Sequence, residues 1–168
     1  GRLARFYIMT SGHKNLSEFN PADFPSASSL KIGIVVSEWN NKITDALFRG
    51  AHETLLACGV KQENIFRSDV PGSFELPLGA QMCFEKNKCD AVICLGCVIR
   101  GETPHFDYIC SAVSKGIMDL NLKFGVPFVF GILTCDTIEQ ARERSGGKFG
   151  NKGVEAAVTA VKMVALKK

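Results

Sequence analysis

From Leu30 onward, short apolar runs alternate with stretches in which apolar residues recur at helical spacing. Lys31-Ile-Gly-Ile-Val-Val-Ser37 reads as a strand, and Ile43, Leu47, Ala51, Leu55 and Cys58 then mark one face of a helix that stops at Gly59. Asn64 to Val70 predicts a second strand, closed by Pro71-Gly72. A helix follows from Phe74 to about Lys86, weakened by Pro77 near its start. Ala91–Val98 is the third strand, and His105 to Phe124 the third helix, ended by Gly125 and Pro127. Phe128–Thr134 is the fourth strand. Thr137-Ile-Glu-Gln140 has the pattern of a capping box opening a short helix, and a last helix covers about Lys152 to Leu166.

Strands that are apolar throughout are buried on both faces, which requires a parallel sheet covered by helices. The fold class predicted is therefore α/β: a three-layer sandwich with a four-stranded parallel sheet flanked by helices. Residues 30–168 form a single domain in this reading. Residues 1–29 form an arm, polar and rich in Ser, Pro and Asn over 10–29, that either frays or docks, and that is free to add a strand to a neighbouring subunit.

Composition narrows the class. In 168 residues, 46% are hydrophobic and 22% charged, which is globular and not disordered. The net charge of +3 is mild, and no basic stripe interleaves with aromatics, so nucleic acid is not the expected partner. No stretch reaches the length of a membrane span, and Phe6–Met9 is too short for a signal-peptide core. Seven cysteines stand at 58, 83, 89, 94, 97, 110 and 135, an odd number, several inside apolar runs. They read as reduced core thiols of a cytoplasmic protein. Cys94 and Cys97 have CxxC spacing, but three residues apart on a strand they point to opposite faces.

The chemistry concentrates after the third strand, at Arg100-Gly-Glu-Thr-Pro-His-Phe-Asp-Tyr108. Gly101 lets the chain turn, Thr103 is an expected N-cap and Pro104 fits the first helical position. A strand ends, the backbone turns and a helix begins with free N–H groups, an arrangement that holds phosphate. His105 lies in the first turn, where an imidazole can move protons beside a bound anion. Ligands of open parallel sheets bind at the carboxyl ends of strands. That rule gathers Ser37–Asn41, with the only Trp of the chain, and Val70–Glu75 to the same edge. A further cluster, Glu143–Gly153, joins two helices and need not reach its own sheet's binding edge; a neighbouring subunit can present it.

Two constellations are set aside. Glu102, His105 and Asp107 lack a spacing that fixes metal geometry, so no metal is expected. Gly146–Gly153 is glycine-rich but lacks the GxxxxGK[ST] order and follows no strand, which argues against a nucleotide triphosphatase.

Five segments together resemble the lumazine synthase family: Trp39-Asn40, Val70-Pro-Gly-Ser-Phe-Glu75, Val98-Ile-Arg-Gly-Glu-Thr-Pro-His-Phe-Asp-Tyr108, Phe130-Gly-Ile-Leu-Thr134 and Arg144-Ser-Gly-Gly-Lys-Phe-Gly-Asn-Lys-Gly153. They spread in the family's order over residues 30–168. The resemblance implies an enzyme of riboflavin biosynthesis that condenses 5-amino-6-(D-ribitylamino)uracil with 3,4-dihydroxy-2-butanone 4-phosphate, releasing phosphate and water, with neither cofactor nor metal. It implies His105 and Arg144 as catalytic residues. It implies Trp39, Asn40, Ser73, Phe74, Glu75, Cys97, Val98, Ile99, Gly101, Glu102, Thr103, Phe130 and Lys152 as substrate-binding. Trp39 would stack on the flat pyrimidine, where Phe is the more frequent family residue. Glu75 would meet the ribityl hydroxyls, though a carboxylate at a helix start also has a purely structural reading. The phosphate would lie on the N–H groups around Gly101, Glu102 and Thr103 with Arg144. The family's sites lie between subunits, with Phe130, Arg144 and Lys152 on one side, and its pentamers in some members build a hollow icosahedral capsid. By resemblance, the short Gly146–Gly153 connection, without the insertion typical of members that stop at the pentamer, implies the capsid. The competing expectation is a non-catalytic flavin-binding protein on the same scaffold, for which Trp39 is the best argument. A flavodoxin-like carrier is disfavoured, because Ser37–Asn41 is no phosphate loop.

Overall fold

The computed structural model describes residue 16, residues 18–24 and residues 27–167. The expected arm falls partly outside the described residues. Its described part docks: short 3-10 turns at Pro21–Asp23 and Ala27–Ser29 bring Phe24, Ala27 and Leu30 into the core beside Val161 and Val164.

Four strands, β1 (Ile32–Ser37), β2 (Ile65–Val70), β3 (Ala91–Ile99) and β4 (Phe128–Cys135), form one parallel sheet in the order β2-β1-β3-β4. Helices α1 (Asn41–Ala57), α2 (Leu76–Asn87), α3 (His105–Phe124), α4 (Ile138–Glu143) and α5 (Lys152–Lys167) supply the outer layers. On one face Ile32, Ile34, Ile93 and Leu95 pack with Leu47 and Leu55 of α1 and Val158 and Val161 of α5. On the other, Val35, Val92 and Ile132 meet Leu76 and Ala80 of α2 and Val113 and Ile117 of α3. The three-layer α/β architecture is the one predicted. β1 is buried at every residue and β3 through Cys97, as continuous apolar strands between two helical layers must be. β2 differs: as an edge strand it carries Arg67, Ser68 and Asp69 and is only half-buried.

The helix boundaries hold with instructive exceptions. The helix expected at Phe74 begins as a 3-10 turn over Ser73–Glu75 and becomes α-helical at Leu76. Pro77 therefore sits in the first two helical positions, where no intrahelical N–H bond is forfeited, and it does not weaken α2. Gly125 closes α3 in the left-handed region at φ 60°, and Thr137 caps α4 in a reciprocal bond with Gln140. A two-stranded hairpin, β5 (Ser145–Gly147) and β6 (Gly150–Asn151), fills the connection that the sequence pattern left as an unassigned cluster.

The cysteines behave as core. All seven are free, and six are buried. Burial raises the Cys58 thiol to about 11 and those of Cys94 and Cys97 to about 12. Cys94 faces the α2/α3 layer and Cys97 the α1/α5 layer, as their spacing on a strand dictates.

Candidate active site

Strand order reverses at β1: the chain passes from β1 outward to β2, then returns to the far side of β1 as β3. Such a switch point opens a crevice at the carboxyl ends of the two central strands. A cavity of about 710 Å³ lies there, lined by Trp39, Asn40, Pro71, Gly72, Ser73, Phe74, Glu75, Cys97, Val98, Ile99, His105 and Ile109.

The turn after β1 is held by continuation of the β1–β2 ladder. Glu38 N–H donates to the Val70 carbonyl (2.8 Å) and Trp39 N–H to that of Pro71 (3.1 Å). Asn40 then enters the left-handed region at φ 60°, a conformation Asn tolerates better than most residues. Its Nδ2 donates to the Cys97 carbonyl at 3.1 Å, tying this turn to β3. The backbone reversal leaves Trp39 71% exposed on the rim, with Phe74, 59% exposed, lining the same cavity. Two open aromatics bordering one cavity form a contiguous apolar surface, which is more informative than a singly exposed side chain.

Glu75 has a structural role at the helix start and also borders the cavity. One carboxylate oxygen accepts from the Gly72 N–H at 3.0 Å, bracing the 3-10 turn. The side chain still lines the cavity. Ser73 is buried, its hydroxyl lying over Gly96 on β3 where any larger residue would collide.

The β3–α3 connection corrects two expectations. Thr103 makes no capping bond. Pro104 occupies the cap position at φ −70°, and its carbonyl accepts from the N–H groups of Asp107 and Tyr108. Proline's fixed φ is already helical, so it ends the turn without help from a side chain. Gly101 lies outside the left-handed region, and a Cβ there would meet nothing within 4 Å. The turn itself does not require glycine. Gly101, Glu102 and Thr103 are exposed, and among the described residues their N–H groups have no partner. They stand between Ile99 and His105, both on the cavity wall.

Phe130, Arg144 and Lys152 are not brought to this cavity. Phe130 packs on the α2/α3 layer. Arg144 sits at the end of α4, donating to the Gln140 carbonyl (3.1 Å) and lying 4.7 Å from the centre of the Phe149 ring. Lys152 opens α5 beside Glu155 at 3.8 Å. Pro71 and Gly72 line the cavity as part of the Val70–Glu75 turn, and Ile109 lines it without having been singled out. Ile109 was findable, since it lies one helical turn after His105 on the same face. Among the described residues no three His, Cys, Asp or Glu side chains gather in a way that could hold a metal ion, and no helix is long and apolar enough to cross a membrane.

Fold and crevice together define a three-layer α/β protein with a small-molecule cavity at the switch point of a parallel sheet. Similarity to known proteins resolves the class further. The sequence model of the 6,7-dimethyl-8-ribityllumazine synthase family matches residues 29–168, and the chain belongs to that family. A 6,7-dimethyl-8-ribityllumazine synthase of Parabacteroides distasonis is 56% identical over 156 residues, covering 93% of this chain and 98% of the relative. The corresponding synthase of Cytophaga hutchinsonii is 58% identical over 157 residues, covering 94% and 98%. That of Porphyromonas gingivalis is 51% identical over 160 residues, covering 95% and 99%.

Proposed function

We propose that this chain is a transferase of riboflavin biosynthesis that condenses 5-amino-6-(D-ribitylamino)uracil with 3,4-dihydroxy-2-butanone 4-phosphate. The product is 6,7-dimethyl-8-ribityllumazine, and phosphate and water leave. The observation that carries the reading, beside family membership, is the switch-point cavity in which an open Trp39, Glu75 and His105 share one wall system next to unpaired N–H groups.

In this reading the indole of Trp39 covers the pyrimidine face, where its large apolar surface gains most. Asn40, Ser73, Phe74, Cys97, Val98 and Ile99 fix the ring and its substituent, and the free oxygen of Glu75 meets ribityl hydroxyls. The phosphate group lies on Gly101, Glu102 and Thr103. His105 takes a proton as the amine adds to the ketone and returns one as water and phosphate depart, since an imidazole works in both directions near neutral pH. Holding two substrates in one cavity supplies much of the remaining acceleration.

Arg144, Phe130 and Lys152 reach a neighbouring subunit's cavity. Support comes from their absence from this chain's own cavity, while residues 101–103 lie exposed. The assembly is a pentamer, and the short β5–β6 hairpin favours its further closure into an icosahedral capsid. Sedimentation at micromolar concentration is expected to give a shell-sized species, and a pentamer alone would reject the capsid. Residues 30–168 act as the catalytic unit, residues 1–29 as an arm toward a neighbour, and the free thiols fit the cytoplasm.

A steady-state assay with both substrates, following lumazine formation optically, tests the whole reading. The native chain turns over, and His105→Ala is slowed by about 100- to 10,000-fold without being abolished. Arg144→Ala is damaged at least as much, because both orientation and departure of phosphate depend on its charge. Exposure of Trp39 favours one second reading, a flavin-binding protein without catalysis. Flavin binding with no turnover would select it.

A further inference from the structure

Arg100 has no task in the mechanism above, yet its side chain is committed to two segments at once while its backbone holds to the end of a strand. Its backbone N–H donates to the Cys135 carbonyl (2.9 Å), carrying the β3–β4 ladder one residue past the strand. Its Nε donates to Asp136 Oδ1 at 2.8 Å, in the turn between β4 and α4. Its Nη1 reaches Asp107 Oδ1 at 3.4 Å, in the first turn of α3, and the guanidinium carbon lies 4.3 Å from the centre of the Phe106 ring. Asp136 is itself fixed, since its N–H donates to Gln140 Oε1 (2.8 Å) within the α4 cap. The three residues that follow Arg100 have no hydrogen bond of their own backbone N–H groups among the described residues. The course of that loop is therefore set at its two ends, and Arg100 holds both.

We propose that Arg100 is a positioning residue for the phosphate-bearing substrate: it clamps the first turn of α3 to the β4–α4 turn and so places His105 and the N–H groups of residues 101–103. The proposal rests on reading that loop as the phosphate site. Two donors on one rigid plane, stacked on a ring, are what the contacts need; a lysine ammonium on a flexible stem cannot reproduce them. Exposed ion pairs add little to stability, and this one is half open to water, so its effect falls on ligand geometry and not on folding.

The rival role, a direct phosphate ligand, predicts the opposite sign for one variant. Asp136→Asn removes a negative charge near the anion and frees the guanidinium. A direct ligand would then bind phosphate more tightly, whereas a clamp that has lost its anchor binds it more weakly. The test measures inorganic phosphate binding by titration calorimetry, KM for each substrate, and Tm, on the native oligomer and on Arg100→Lys and Asp136→Asn. Both variants are expected to weaken phosphate binding and raise KM for the phosphate substrate on the order of 10- to 100-fold, with KM for the pyrimidine and Tm unchanged. Tighter phosphate binding by Asp136→Asn overturns the proposal, as does native behaviour of Arg100→Lys or a parallel rise of both KM values. A native chain that neither turns over nor binds phosphate rejects the underlying reading instead.

Discussion

At Gly101, where glycine is not required by the backbone, a substitution separates folding from ligand binding. The position has open space around it and no left-handed φ, so Gly101→Ala is expected to fold with an unchanged Tm. Under the proposed function, in which the N–H groups of this loop receive phosphate, an added methyl still stands in the approach path. KM for the phosphate substrate should rise on the order of tenfold, a cost of roughly 1.4 kcal/mol, with KM for the pyrimidine held. Steady-state kinetics beside a thermal melt checks both halves, and an unaltered phosphate KM would detach Gly101 from the site. Single residues at strand ends were the most legible part of this chain, because a parallel sheet collects its carboxyl-end turns without knowledge of strand order. Trp39, Asn40, Ser73–Glu75, Cys97–Ile99 and His105 share one cavity for that reason. Thr103 misled, because a Ser/Thr cap pattern gives no warning that the following proline serves as the cap itself.

At the scale of elements, helix spacing located α1, α3 and α5 within a residue or two, since each shows one apolar face to the sheet. The β5–β6 hairpin escaped notice. Three residues against two, mostly glycine and without apolar alternation, carry no periodic signal. Its consequence is nevertheless mechanical. Asn151 donates to the Ala46 carbonyl at 3.1 Å while its Oδ1 accepts from Gly153 N–H at 2.7 Å, so the hairpin's end is bonded to α1 and caps α5 at once. This close approach leaves no room at Gly153, where a Cβ would overlap the Leu47 carbonyl. Gly153→Ala must separate α1 from α5 or distort the start of α5, and is expected to cost about 1–3 kcal/mol. Tm should fall by roughly 3–10 °C in a thermal melt, in contrast to Gly101→Ala. Lys152, next in line to Gly153, would shift with it, so activity should suffer as well.

At the scale of the whole molecule, the residues proposed for catalysis and phosphate binding lie in two separate places on one chain. Cavity and His105 lie at the carboxyl edge of the sheet, and Arg144 with Lys152 lies around the hairpin beyond α4. The sequence already predicts that Glu143–Gly153 need not reach the sheet's binding edge, because it follows a helix and not a strand. What a neighbouring copy would contribute under the proposed function is not legible, since packing between copies leaves no pattern in one chain. Mixing tests the division directly. His105→Ala and Arg144→Ala subunits, denatured, combined in equal amounts and reassembled, form interfaces at random. A site built between copies regains both groups whenever an Arg144→Ala subunit supplies the cavity and a His105→Ala neighbour supplies the arginine. In a closed ring of head-to-tail contacts that occurs at about one interface in four. The mixture should therefore recover about a quarter of native turnover, far above either variant alone. Reassembled mixtures no more active than the mean of the two parents would mean that each chain completes its own site. Arg144 would then have to swing from α4 across the β4–α4 turn to reach His105, breaking its bond to the Gln140 carbonyl.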